Sequence, residues 1–104
     1  MSDTDTIDDV VIDEKISVNT YEPSNYKVIF LNDNTTPIDF VIEVLKVIFK
    51  HSTETATDLT MKIHNDGSSV VGVYSYEIAE SKAIETVNLS RENGFALQVK
   101  MEKE

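Results

Sequence analysis

The chain predicts an α/β (α+β) fold. It is one two-layer sandwich in which a small, mainly antiparallel sheet of three strands packs with three helices, in the order β-α-α-β-α-β. Two observations carry this. Residues 26–31 (YKVIFL) form an apolar run of strand length, followed after a short polar turn by residues 38–50 (IDFVIEVLKVIFK), which are apolar at helical spacing. Near the other end, Phe95, Leu97, Val99 and Met101 alternate with Ala96, Gln98 and Lys100, the period of a half-exposed strand. A chain of 104 residues suffices for one modest core and is too short for two.

Residues 1–24 stand apart. Seven acidic residues there face only Lys15, a balance of −6, and Val10-Val11-Ile12 alone could pack on anything. The segment reads as a flexible acidic N-terminal extension, with the core domain spanning residues 25–104. In the core, the first strand leads to a turn, Asn32-Asp33-Asn34-Thr35-Thr36-Pro37. Thr36 is the expected N-cap of the first helix and Pro37 lies in its first turn. That helix is apolar around most of its circumference, so it is expected to be the most buried element. A second helix starts near Ser52-Thr53 and runs to Asn65, although Leu59, Met61 and Ile63 also fit strand alternation. Asn65-Asp66-Gly67 ends it, with Gly67 able to turn left-handed. Residues 69–74 (SVVGVY) form the next strand, Ser75 caps a third helix, and Gly94 closes that helix before the last strand.

Composition narrows the function. Net charge is −10, and no cluster of Lys or Arg exists to track a phosphate backbone, so nucleic acid is excluded as a partner. No apolar run approaches the roughly 18 residues that cross a bilayer, so no membrane partner is expected. Without cysteine there is no disulfide, thiolate or cysteine metal site, and the expected location is cytoplasmic. His51 and His64 lie thirteen residues apart and no third ligand completes a zinc set, so neither metal nor cofactor is expected. There is no glycine-rich phosphate loop and no nucleophile motif. The chain reads as a binding protein, not an enzyme.

The Asn32–Pro37 turn is the candidate site, because two apolar elements hold short oxygen-bearing side chains there. It can present oxygens to a small cation beside an apolar wall. His64 is either a surface residue at a helix end or a ring that faces this turn.

Four ordered blocks resemble one family. They are residues 26–45 (YKVIFLNDNTTPIDFVIEVL), residues 59–67 ending Ile63-His64-x-x-Gly67, residues 72–83 (GVYSYEIAESKA) and residues 90–97 (SRENGFAL). Over residues 26–104 the chain is similar to the ClpS adaptors, which deliver N-degron substrates to Clp proteases. The resemblance implies that Asn32, Asp33 and His64 hold the free α-amino group of a substrate's first residue. Ile38, Val41, Ile63 and Leu97 would line the pocket for its bulky hydrophobic side chain, with Thr36 at the edge, Thr60 on the helix wall and Asn34 at the mouth. Glu77 and Lys82 match positions that dock on the N-terminal domain of a Clp-type AAA+ unfoldase, and the adaptor would be a monomer. Asn34 stands where a second Asp is usual, and Ile38 and Thr60 where Met is common. These departures leave open an alternative, an unfoldase-docking modulator of the same fold with altered or lost N-degron binding.

Overall fold

The computed structural model describes residues 5–7, 10–12 and 24–104. Within them the elements run β1 (Asp5–Ile7), β2 (Val10–Ile12), β3 (Asn25–Leu31), α1 (Ile38–Val47), α2 (Thr53–Asp66), β4 (Ser68–Ser75), α3 (Tyr76–Glu92) and β5 (Gln98–Lys103). The sheet has the order β1-β2-β5-β3-β4. All pairings are antiparallel except β2 with β5.

The hydrophobic alternation of β3 decides which face is covered. Tyr26, Val28 and Phe30 are buried, and their β5 neighbours Val99 and Met101 are buried with them. Across these rows pack Val44, Leu45, Ala79, Ala83 and Val87 from the helices. Edge-on aromatic contacts fasten the layers: Tyr26 to Tyr76 at 5.1 Å and Phe30 to Phe49 at 5.4 Å between ring centroids. The opposite face carries half-exposed ion pairs, Lys27 with Glu102 at 3.3 Å and Lys100 with Glu102 at 3.4 Å. Pairs of that kind contribute little to stability.

The core follows the expected β-α-α-β-α-β order, but among the described residues the sheet has five strands instead of three. The additional two come from the segment expected to be flexible. β2 lies parallel to β5 with Val11 opposite Lys100, and Val10 is fully buried. Three β-branched residues in a row fit an open sheet edge, and they do so despite the acidic residues around them. The rest of the proposed extension, residues 1–4, 8–9 and 13–23, lies outside the described residues.

Four local expectations are corrected. Pro37, not Thr36, is the N-cap of α1: its carbonyl accepts from the N–H groups of Phe40 (3.1 Å) and Val41 (3.3 Å), while the Thr36 hydroxyl is engaged elsewhere. α1 ends at Val47 instead of Lys50, because the backbone of Lys50 turns to φ 60°. It is not the most buried element either: Ile38 is 40% and Val47 52% exposed. The last strand begins at Gln98, after a Gly94 turn that returns the Phe95 N–H to the Ser90 carbonyl at 2.9 Å.

The second helix forms as the capping signals require. Ser52 Oγ accepts from the Thr55 N–H at 3.1 Å, and Gly67, at φ 92°, donates its N–H to the Ile63 carbonyl at 2.9 Å. His51, just upstream, donates from Nε2 to the Val71 carbonyl at 2.6 Å. That bond ties the α1–α2 connection to the bulge in β4 and gives this histidine a structural task.

Candidate functional site

One backbone hydrogen bond assembles the site. Where β3 ends, the Asn32 N–H donates to the Gly67 carbonyl at 2.8 Å, which joins the turn after β3 to the C-terminal end of α2. Residues that are 32 positions apart, Asn32 and His64, are thereby set at one rim. α1 leaves the same turn, so its first residues form a facing wall. The fourth side comes from the loop after α3. Ser90, buried in α3, accepts from the Leu97 N–H on its Oγ at 3.1 Å, and Phe95 packs on Phe40 of α1 with ring centroids 4.9 Å apart.

These four pieces enclose a cavity of about 310 Å³. Every residue assigned to the substrate pocket lines it: Asn32, Asp33, Asn34, Thr36 and His64 on the polar side, and Ile38, Val41, Thr60, Ile63 and Leu97 on the apolar side. Leu31 and Pro37 also line it and were not anticipated. Adjacency was their signal, since each flanks the turn already singled out. The two ends differ in solvent access. Asn32 and His64 are exposed, whereas Val41, Thr60, Ile63 and Leu97 are each no more than 6% exposed. Ile38 sits at the rim, 40% exposed.

The turn organises its own carboxylate. Asp33 Oδ2 accepts from the hydroxyls of Thr35 and Thr36, each at 2.6 Å, and from the Thr35 N–H at 3.3 Å. The two hydroxyls hold the Asp33 carboxyl below its ordinary range, so it stays ionised through neutral and mildly acidic pH. All three bonds fall on Oδ2.

The rim thus offers a carboxylate oxygen, an amide carbonyl and an imidazole nitrogen beside a buried, mostly apolar lining. Such a set accepts hydrogen bonds from a cation and encloses a hydrophobic group next to it. Nothing in it acts as an activated nucleophile. Among the described residues, no group of three His, Cys, Asp or Glu could hold a metal ion, and no helix is long and apolar enough to cross a membrane.

Glu77 and Lys82 lie apart from this cavity, on α3. Five positions separate them, about 140° around a helix, so they do not share one face. Glu77 is exposed. Lys82 is half-buried, donates from Nζ to the Ile48 carbonyl at 2.7 Å, and lies over the rings of Tyr74 (5.3 Å) and Phe49 (5.8 Å). Its ammonium caps the C-terminal end of α1, where the helix dipole favours positive charge.

Comparison with known proteins places this cavity in context. The family model described as ATP-dependent Clp protease adaptor protein ClpS matches residues 21–100. The chain is 47% identical over 88 residues to the ATP-dependent Clp protease adapter protein ClpS of Treponema denticola, covering 85% of this chain and 87% of that one. It is 47% identical over 81 residues to the protein of the same description from Nautilia profundicola, covering 78% and 84%. Among solved structures, Agrobacterium tumefaciens ClpS2 bound to L-phenylalaninamide superposes with a TM-score of 0.77 at 44% identity, over 80% of this chain and all of that one.

Proposed function

Because the chain belongs to the ClpS family of ATP-dependent Clp protease adaptor proteins, we propose that its cavity binds the first residue of substrate proteins. As a family member it is an adaptor and not an enzyme, and it delivers N-degron substrates to a Clp AAA+ protease. In our reading, Asn32, Asp33 and His64 receive the free α-amino group. Ile38, Val41, Ile63 and Leu97 enclose its bulky hydrophobic side chain, with Thr36 and Asn34 at the mouth and Thr60 on the α2 wall. One observation carries this assignment: a carboxylate kept ionised by its own turn lines a cavity whose inner residues are buried and mostly apolar.

The physics of a chain terminus fits that arrangement. A free α-amino group titrates at roughly 7.7 to 8.0, so at neutral pH it is mostly an ammonium with three donors. Hydrogen bonds to charged groups contribute about 1.5 to 3 kcal/mol each, and burying a Leu or Phe side chain contributes a similar amount. After the cost of association, affinity in the micromolar range, about −8 kcal/mol, is expected. Acetylation removes the cation and two of the three donors, so the same pocket separates a chain end from a chain interior. L-phenylalaninamide, the ligand of the A. tumefaciens relative, carries this combination of free amine and apolar side chain.

We assign Glu77 and Lys82 to docking on the N-terminal domain of the unfoldase and the acidic residues 1–24 to delivery, with the adaptor acting as a cytoplasmic monomer. Deleting residues 1–9, which spares Val10, should leave peptide binding intact and slow degradation of a model substrate. Unchanged degradation would withdraw the tail from delivery. For the cavity itself, amide NMR shifts on titration with L-phenylalaninamide provide the test. Shifts centred on Asn32, Thr35, Gly67 and Leu97, and absent with N-acetyl-L-phenylalaninamide, are expected. Equal shifts from both compounds, or shifts elsewhere, would refute the assignment.

A further inference from the structure

We propose that the buried lining of the cavity favours a first residue with a hydrogen-bond donor at its tip, tyrosine over phenylalanine, through the hydroxyl oxygen of Thr60. The inference rests on the amino-group reading above and adds a second polar anchor to it. Thr60 lines the cavity and is 3% exposed, so little water competes there. Its Oγ1 donates to the Ala56 carbonyl, one turn back on α2, at 2.7 Å. A hydroxyl has one proton and two lone pairs. With the proton committed to Ala56, the oxygen is left to act only as an acceptor.

Position on the helix gives this acceptor its meaning. Thr60 precedes His64 by four residues, so both lie on one face of α2, about 6 Å apart along its axis. A ligand whose ammonium sits at the His64 rim lays its side chain along this face, between Val41, Ile63 and Leu97. The span from His64 to Thr60 is comparable to the length of a tyrosine side chain. A phenol O–H therefore arrives where an oxygen can accept from it. A phenyl ring brings no donor there. A tip that only accepts, such as a thioether or a carbonyl, meets lone pairs of its own kind.

The test uses peptides identical except at residue one, with tyrosine, phenylalanine or 4-methylphenylalanine, the last a match for tyrosine in shape without its donor. In competition anisotropy, the wild-type protein should favour tyrosine over 4-methylphenylalanine by about threefold to tenfold, the usual net value of one hydrogen bond. Thr60→Val, which keeps the shape and removes the hydroxyl, should bring that ratio to about one. Thr60→Ser should restore the preference. A wild-type ratio of one or below, or a ratio unchanged in Thr60→Val, overturns the proposal while leaving the amino-group reading in place. If no free terminus binds, the reading of the cavity falls and this inference with it.

Discussion

The Asp33 carboxylate both fixes its turn, where Oδ2 gathers the Thr35 and Thr36 hydroxyls, and lines the cavity with its charge. Asp33→Ala should therefore weaken binding of a free N-terminal peptide at least about tenfold, or about 1.4 kcal/mol, by removing a charged acceptor. Equal affinity in that variant would take Asp33 out of the site. In His64→Gln the acid limb of peptide binding belongs to the Asp33 carboxylate. Its pKa is depressed in the folded protein, so the carboxylate persists above the lowered value and is lost only as pH falls through it. Thr36→Val should move that limb upward, and a limb that stays put would contradict the role given to the hydroxyl. Much of the site is legible through the resemblance, which groups Asn32, Asp33 and His64, and all three line one cavity. The part played by Thr36 is not legible there, because a threonine before Pro37 carries the signature of an N-cap. The carboxylate three residues earlier is the better partner for its proton, and the carbonyl of Pro37 starts the helix instead.

α1 and α2 supply facing walls, and each is held at the end away from the cavity or at its rim by one device. At the rim, Gly67 adopts φ 92° while its carbonyl accepts from Asn32. A Cβ there would meet nothing within 4 Å, so Gly67→Ala costs only the left-handed backbone, about 1 kcal/mol. Urea unfolding should show that loss, and peptide affinity should fall with it as the Asn32 turn shifts. Full affinity despite lower stability would uncouple the cap from the site. At the other end of α1, Lys82 closes the helix over the Ile48 carbonyl. Lys82→Met should cost about 1 to 2 kcal/mol by urea unfolding, since it removes a charge-assisted bond and a helix-end cation together. A stability equal to wild type would return Lys82 to the category of an ordinary surface residue. The second helix shows how far pattern carries. Strand alternation competed with helical spacing at Leu59, Met61 and Ile63, and the Ser52 and Gly67 caps decide the matter. The first helix shows the limit. Its apolar residues outnumber the places the core has for them, so Ile38 is left at the cavity rim and Val47 in solvent.

In the whole molecule, a sheet covered on one face by three helices is completed at its β5 edge by residues from the acidic N-terminal segment. Val10 is buried there against β5 and α3, which makes the strand part of the folded unit. Charge dominates the composition of residues 1–24, and three apolar residues were too few to signal a strand without knowledge of the edge they meet. Removing residues 1–12 should lower stability by about 1.5 to 3 kcal/mol, the value of one buried valine, and uncover an edge that invites self-association. Urea unfolding and light scattering read both, and a truncated chain as stable and monodisperse as the full one would contradict the strand's contribution. In the proposed reading the cavity takes a chain terminus by its charge at the rim and its side chain within. Fluorescence anisotropy with short peptides that begin with Leu, Phe, Tyr, Trp, Ile or Ala, each with a free and an acetylated N-terminus, tests that statement. Micromolar binding to free bulky termini, lost on acetylation and absent for Ala, is the predicted result. Binding that ignores acetylation, or no binding to any terminus, would contradict it and leave unfoldase docking as the surviving function.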